Sequence, residues 1–402
     1  MRVPLPWLRE YVAMDDGVSG ERVAADLVRV GLEEEAVHGP QVSGPLVVGT
    51  VLTCVAEPQK KGKVISWCTV DVGAHGVVGP DGRVEPRGVV CGAPNVGAGD
   101  KVVVALPGAV LPGGFVISAR KTYGHLSDGM ICSARELGVS DDHTGIIRLV
   151  EYGLDDAPNG SDALTLLGLD AETVEVNVTP DRGYALSVRG VAREYAHAAG
   201  AAFADPAAVD VPKPDEDGFV VRLEDDAPIR GRAGCDRYVA RVVRGVDPTR
   251  RSPFWLQRRL QLAGMRPISL AVDVTNYVML AVGQPLHAFD LDLLQGSIVV
   301  RRARPGERLR TLDDVDRALD PEDLLITDAD GDRVLALAGV MGGASTEVSA
   351  TTRDLLIEAA HFDAVTVART ARRHRLPSEA SRRFERGVDT DLADRAAELA
   401  VR

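Results

Sequence analysis

"VDVTNYVMLAVGQPLHAFD", residues 272–290, decides how the second half of this 402-residue chain is read. The stretch is mostly apolar, as a buried element is, yet it carries Thr275 and Asn276 towards one end and His287 and Asp290 at the other. A residue before proline is pushed into extended backbone, so Gln284-Pro285 sets His287 on an extended approach and leaves the Thr-Asn pair on a neighbouring turn. The plain reading of His287 is a core or capping histidine. The other is a pocket, since a hydroxyl, an amide and an imidazole converging among apolar groups have the composition of a small-molecule site.

Three further stretches bear on that choice. "ALAGVMGGASTEVS" (336–349) places Gly339, Gly342 and Gly343 where a side chain would obstruct, so backbone N–H groups can approach a ligand. "LLIEAAHF" (355–362) puts Glu358 after an apolar, strand-like run, where a carboxylate is costly to desolvate without a partner. "RRHRLPSEASRRFERGVD" (372–389) flanks the small residues Ser378 to Ser381 with arginines; a solvated helix surface or the rim of a phosphate-lined pocket both fit.

Composition narrows the class. Hydrophobic residues make up 45% and charged residues 26%, ordinary for a globular chain too long for one core. No membrane span or secretory leader is read, which points to the cytoplasm. The five cysteines lack C-x-x-C spacing and read as buried free thiols rather than zinc ligands or disulfides. The net charge of −13 means that a nucleic acid would have to be met by local basic patches. Two exist: residues 248–266 hold five Arg and no acid, and residues 364–386 hold seven Arg against Glu379 and Glu385. "GAPNVGAGDK" (92–101) fails as a phosphate loop, because Ala98 follows Gly97 where lysine is needed, and "DADGDR" (328–333) reads as a hairpin turn. No motif for a covalent nucleophile is present.

The expected fold class is α+β multidomain. Residues 1–39 with 151–200 form an N-terminal α+β unit, with Ser19 as an N-cap and Gly31 and Gly200 as stops. Residues 40–150 read as an inserted small antiparallel barrel of the OB type, interrupted by a short helix within 128–146. Residues 201–218 are a boundary or linker, 219–390 a second α+β domain, and 391–402 the start of a further helix or domain.

On several long motifs in one order, the chain resembles the β subunit of bacterial-type phenylalanyl-tRNA synthetase, in its N-terminal half. They are "VPLPWLREYV", "VVCGAPNVGAGDKVVVALPGAVLPGGFVI", "SDGMICSARELGVSDDHTGI", "VTPDRGYALSVRGVARE", "DVTNYVMLAVGQPLHAFD", "LAGVMGGASTEV" and "SEASRRFERGVD". The resemblance implies an (αβ)2 assembly with an α subunit that acts on tRNA-Phe, with ATP and Mg2+ used by the holoenzyme and no cofactor or metal within this chain. It implies that 219–390 is a B3/B4-type editing domain that hydrolyses tyrosine wrongly esterified to tRNA-Phe, and that 40–150 is a tRNA-binding-type OB fold. Carried over residue by residue, the resemblance gives Thr275, Asn276, His287 and Glu358 to catalysis, and Gly339, Gly342, Ser378 and Ala380 to the editing pocket, with Glu358 accepting the tyrosine phenol. "TPDRGYAL" departs from the usual "TPNRPDCL" at a turn. A non-catalytic tRNA-binding or assembly scaffold is the competing reading, and DNA is not an expected partner.

Overall fold

Serine and glycine punctuation sets where this chain turns. The computed structural model describes residues 1–214 and 218–402, so residues 215–217 of the expected linker lie outside the described residues. β1 (Arg2–Pro4) leads to α1 (Gly20–Arg29), begun by Ser19, whose hydroxyl accepts from the Arg22 N–H at 3.3 Å, and then to β2 (Glu33–His38). The chain next supplies one sheet from β3 (Leu46–Pro58), β4 (Val64–Asp71), β5 (Arg87–Cys91), β6 (Lys101–Ala105) and β7 (Met130–Ile131). It returns as β8 (Thr173–Asn177), which pairs between β1 and β2, and as α2 (Val188–Ala199), capped by Ser187 and stopped by left-handed Gly200 at φ 66°.

Within the sheet of β3 to β7 the order is β7-β6-β3-β4-β5 and every neighbouring pair is antiparallel. Its two edges approach each other: the Val90 N–H donates to Ser127 Oγ at 3.0 Å and the Asp128 N–H to Gly88 O at 2.8 Å, so the sheet nearly closes into a barrel. Gly88 has to be glycine, since a Cβ there would lie 2.3 Å from the Trp67 ring. The loop 92–100 joins β5 to β6, with Asp100 accepting from the Gly97 N–H at 2.7 Å. The short helix expected within 128–146 does not form. Ser133 and Glu136 cap each other through backbone N–H bonds at 2.7 and 3.2 Å, which closes a single turn, and left-handed Gly138 ends it. Val48, Val103, Cys132 and Leu149 fill one part of this unit's core, and residues 38–172 with 253–261 make up the unit. All five cysteines are free, four buried and Cys54 half-buried.

The other compact unit comprises residues 1–37, 173–252 and 262–402. The first part of the expected linker is fastened to it: Ala13 and Ala202, and Tyr11 and Ala204, are joined by backbone bonds of 2.9 and 2.8 Å, and Arg189 grips Asp205 through two bonds of 2.6 Å. Beyond lie β9 (Val221–Glu224), β10 (Cys235–Val243), α3 (Leu270–Val282), β11 (Leu286–Asp290), β12 (Ile298–Arg302), β13 (Leu324–Asp328), β14 (Arg333–Leu337), β15 (Met341–Gly342), β16 (Leu355–Phe362), α4 (Ala364–His374), α5 (Glu379–Phe384) and α6 (Leu392–Val401). They build two sheets. One has the order β9-β12-β13-β14-β15, with only β9–β12 parallel; the "DADGDR" turn joins β13 to β14 in it. The other is β10-β16-β11, antiparallel throughout. Strand alternation sends Leu356, Ala360 and Phe362 of β16 into the core shared with the first sheet, while Ala359 packs on Ala393 and Ala397 of α6.

α3 and β11 are the two halves of the 272–290 stretch, and Gly283 hinges them. Its φ of 91° is left-handed, and its N–H donates to Met279 O at 2.9 Å. Fully buried Gln284 then pins the start of β11, donating to Ala360 O at 2.9 Å. An L side chain in this conformation costs about 1–2 kcal/mol. Gly283→Ala is therefore expected to lower stability by about that amount in urea titrations, and an unchanged midpoint would show that the hinge does not depend on glycine.

Candidate functional site

β16 runs between β10 and β11, and its register brings together groups far apart in sequence. Glu358 lies directly opposite His287 of β11 on one side and Ala240 of β10 on the other, with Tyr238 two residues along the same face of β10. Diagonal neighbours in a sheet are within reach of long side chains, and the Tyr238 hydroxyl donates to Glu358 Oε2 at 3.1 Å. Glu358 is 6% exposed. Burial lifts its carboxyl from the usual 4.5 to about 8, although the Tyr238 bond pulls the other way. Burial, with the charge of Glu358 and its hydrogen bond, also holds the Tyr238 phenol well above 10. At neutral pH both groups keep their protons, so Tyr238 donates to Glu358 and Glu358 has an O–H of its own to offer. Burial lowers His287 to about 4, and its ring stands edge-on to Phe289 at 4.5 Å. Its imidazole is neutral, one nitrogen a donor and the other an acceptor.

Glu358 and His287 line a cavity of about 80 Å³, together with Gly339, Gly342, Met341, Ala380 and Phe384. Both glycines shape it. A Cβ on Gly342 would sit 2.7 Å from His287 Cε1, and one on left-handed Gly339 would sit 2.9 Å from Phe362 and 3.0 Å from Phe384. An apolar cavity that binds benzene measures roughly 150 Å³, so an aromatic ring enters here only as a lining side chain swings aside. Unbranched Met341 is the pliable one.

His287 also lines a second cavity, of about 410 Å³, with Thr275, Asn276, Asp247 and Glu347. Thr275 and Asn276 do not lie on a turn, as the sequence suggested, but inside α3. Thirteen residues without Gly or Pro carry the helix through them, and Tyr277 beside them stacks on Trp7 at 4.9 Å. The Thr275 hydroxyl donates to Val272 O at 2.8 Å, while the Asn276 amide makes no hydrogen bond among the described residues. Ser378 lines neither cavity. It caps α5, accepting from the Ser381 N–H at 3.0 Å, and donates to Val340 O at 3.0 Å, which ties α5 to the wall of the smaller cavity.

The structure thus gathers His287, Glu358, Gly339, Gly342 and Ala380 around one cavity, sets Thr275 and Asn276 across His287 in a second, and leaves Ser378 to hold α5. Tyr238 was missed by sequence reasoning. Its one signal is a lone phenol in "YVARVVRGV", a run otherwise readable as a plain strand. Among the described residues no group of three or more His, Cys, Asp and Glu side chains is arranged to hold a metal ion, and no helix is long and apolar enough to cross a membrane.

Comparison with known proteins adds to this geometry. The family model "B3/4 domain" matches residues 234–402, and "Putative tRNA binding domain" matches residues 46–160. The phenylalanine–tRNA ligase beta subunit of Leifsonia xyli subsp. xyli is 62% identical over 407 residues, covering 100% of this chain and 48% of that one. Those of Bifidobacterium longum and Thermobifida fusca are 55% and 56% identical, covering 99% and 100% of this chain and 48% and 46% of theirs. The chain spans about half the length of the curated relatives it matches.

The two shifted groups make opposite contributions to stability. Glu358 keeps in the fold, up to about pH 8, a proton that it loses near 4.5 when unfolded, so its contribution is complete below 4.5 and is lost as pH rises to 8. His287 binds its proton more weakly in the fold, so stability is gained as pH rises from about 4 to 6.5. The two largely offset each other between 4.5 and 6.5, and Glu358 acts alone above that. Urea midpoints of the chain minus those of Glu358→Gln should fall by one proton's worth of slope between pH 6.5 and 8. A flat difference there would mean that Glu358 titrates normally.

Proposed function

Over its whole length the chain is homologous to phenylalanine–tRNA ligase beta subunits, and from that relationship we propose that residues 219–390 form an editing domain that removes tyrosine wrongly esterified to tRNA-Phe. The observation that carries this reading is one buried carboxyl, held by Tyr238, in the wall of a largely apolar cavity that shares His287 with a larger one holding Thr275 and Asn276. An apolar pocket built for phenylalanine rejects an isostere with an added hydroxyl by only about 10²-fold, so a second site has to recognise that hydroxyl.

Glu358 does so by sharing a hydrogen bond with the tyrosine phenol while Oε2 stays bonded to Tyr238. Phenylalanine would not leave the carboxyl wholly without a partner, because Tyr238 remains. The preference is then the worth of about one hydrogen bond between neutral groups, roughly 0.5–1.5 kcal/mol or about 2–13-fold. The ester and terminal ribose occupy the larger cavity, where Asn276 is free to bond them. His287, at about 4, is too weak a base to take a proton at neutral pH; it positions water and the ester, and a ribose hydroxyl of the tRNA assists the attack. Ala380 stays small to admit the ligand.

In the same reading, residues 40–150 are an OB-type tRNA-binding module, supported by the nearly closed antiparallel sheet. Its aromatic surface is partly occupied, since Trp67 stacks on His125 at 4.2 Å and Lys63 donates to Tyr123 at 2.9 Å, so it assists rather than dominates tRNA binding. The chain works in the cytoplasm with an α subunit in an (αβ)2 assembly, which uses ATP and Mg2+ outside this chain. The competing reading, a scaffold without catalysis, draws on the small volume of the Glu358 cavity.

In the complete enzyme, Glu358→Ala is expected to slow clearance of preformed Tyr-tRNA-Phe by roughly 2–13-fold, and His287→Ala to slow it as well, with Phe-tRNA-Phe synthesis unchanged. Undiminished clearance by both variants would leave the scaffold reading in place.

A further inference from the structure

α5 separates two cavities of different character. It turns Ala380 and Phe384, one helical turn apart, to the Glu358 cavity, and Ser381 and Arg382 to a cavity of about 590 Å³ that is also lined by Arg372, Arg375 and Arg386. Four guanidiniums there meet two carboxylates, Glu379 and Glu385. Glu379 is engaged, since its Oε2 lies 2.7 Å from buried Arg383 and its Oε1 3.7 Å from Arg382.

Arg372, Arg375 and Arg386 make no side-chain hydrogen bond or ion pair among the described residues, and Nε and Nη1 of Arg386 are shut off from solvent without a partner. Elsewhere on α4 the pattern is different: Arg369 pairs with Glu322, and Arg373 with Glu322 and Asp323. Buried donors without acceptors cost free energy that a bound anion offsets, and guanidinium forks suit phosphate oxygens. In a chain of net charge −13 this is a local concentration of unspent positive charge.

We infer that this arginine-lined cavity binds backbone phosphates of a single-stranded RNA 3′ end whose esterified amino acid enters the Glu358 cavity across α5. A helix with its side chains is about 10–12 Å thick and a fully stacked strand advances roughly 3.4 Å per nucleotide, so at most about three nucleotides span the two cavities. The inference rests on the proposed editing function for what the RNA delivers, but the site itself is testable apart from it.

The test is fluorescence anisotropy of a labelled single-stranded oligoribonucleotide with a free 3′ end, titrated with the 402-residue chain across a salt series. The Arg372→Gln/Arg375→Gln double variant should weaken binding about tenfold or more and flatten the log–log salt slope by about 1.4, which is ~0.7 per lost phosphate contact. The Lys/Lys double variant should recover most of the slope, which a folding defect would not allow. Inorganic phosphate should compete only weakly. Equal Kd and slope in the Gln/Gln variant would overturn the inference, as would displacement of RNA by inorganic phosphate at equal phosphate concentration, or tighter binding of an acidic peptide than of RNA. Failure of Glu358→Ala to slow Tyr-tRNA-Phe clearance, with RNA binding still lost in the Gln/Gln variant, would sink the editing reading and leave the arginine site standing.

Discussion

A carboxyl group enclosed between two sheets governs the arrangement around it. Glu358 sits in mid-strand on β16, and strand alternation gives it no choice but the face that meets the core. The carboxyl can be tolerated there only if it is neutral, hydrogen-bonded or opened to a cavity. All three hold: it keeps its proton to about pH 8, accepts from Tyr238 at 3.1 Å, and borders the 80 Å³ cavity. A slip of one residue would turn it towards Ala393 and Ala397, which sit close against Ala359 and leave no room for a longer side chain. The register of β10, β16 and β11 therefore determines the chemistry.

His287 divides the work between two spaces. On one side is the apolar cavity with Glu358; on the other is a larger one with Thr275, Asn276 and two acids. The ring can stand at that boundary because Gly342 has no Cβ to strike it and because Gly283 turns the chain from helix to strand just before it. The low proton affinity of the imidazole follows from burial, and it makes His287 a positioning group in neutral solution. Recognition of a ring oxygen and handling of an ester thereby fall to separate places joined by one side chain.

Much of this was legible in the sequence because it rests on local rules. The Ser19 cap, the left-handed Gly200, the loop at 92–100 and the hairpin at 328–333 all follow from neighbouring residues. Glu358 stood out because an acid within an apolar strand needs an explanation. What was not legible depends on pairing at a distance. Tyr238 meets Glu358 across 120 residues, a partnership that only the sheet register creates. Thr275 and Asn276 looked like a turn because both residues favour turns, but a long apolar run packed on several sides carried the helix through them. The reverse happened at 133–139, where a helix-like stretch closes after one turn for want of continuation beyond Gly138. Ser378 was chosen for the pocket by resemblance; it caps α5, ties it to Val340 and lines the arginine-rich cavity.

The central claim is that a buried, Tyr238-held carboxyl distinguishes two otherwise similar rings by a single oxygen. Crystals of the chain soaked separately in L-tyrosine and L-phenylalanine test it most directly. The account predicts a tyrosine ring in the cavity, with Met341 displaced and the phenol oxygen within hydrogen-bonding distance of Glu358, and much lower occupancy for phenylalanine. An empty cavity in both soaks, or equal occupancy with the phenol directed away from Glu358, would contradict it.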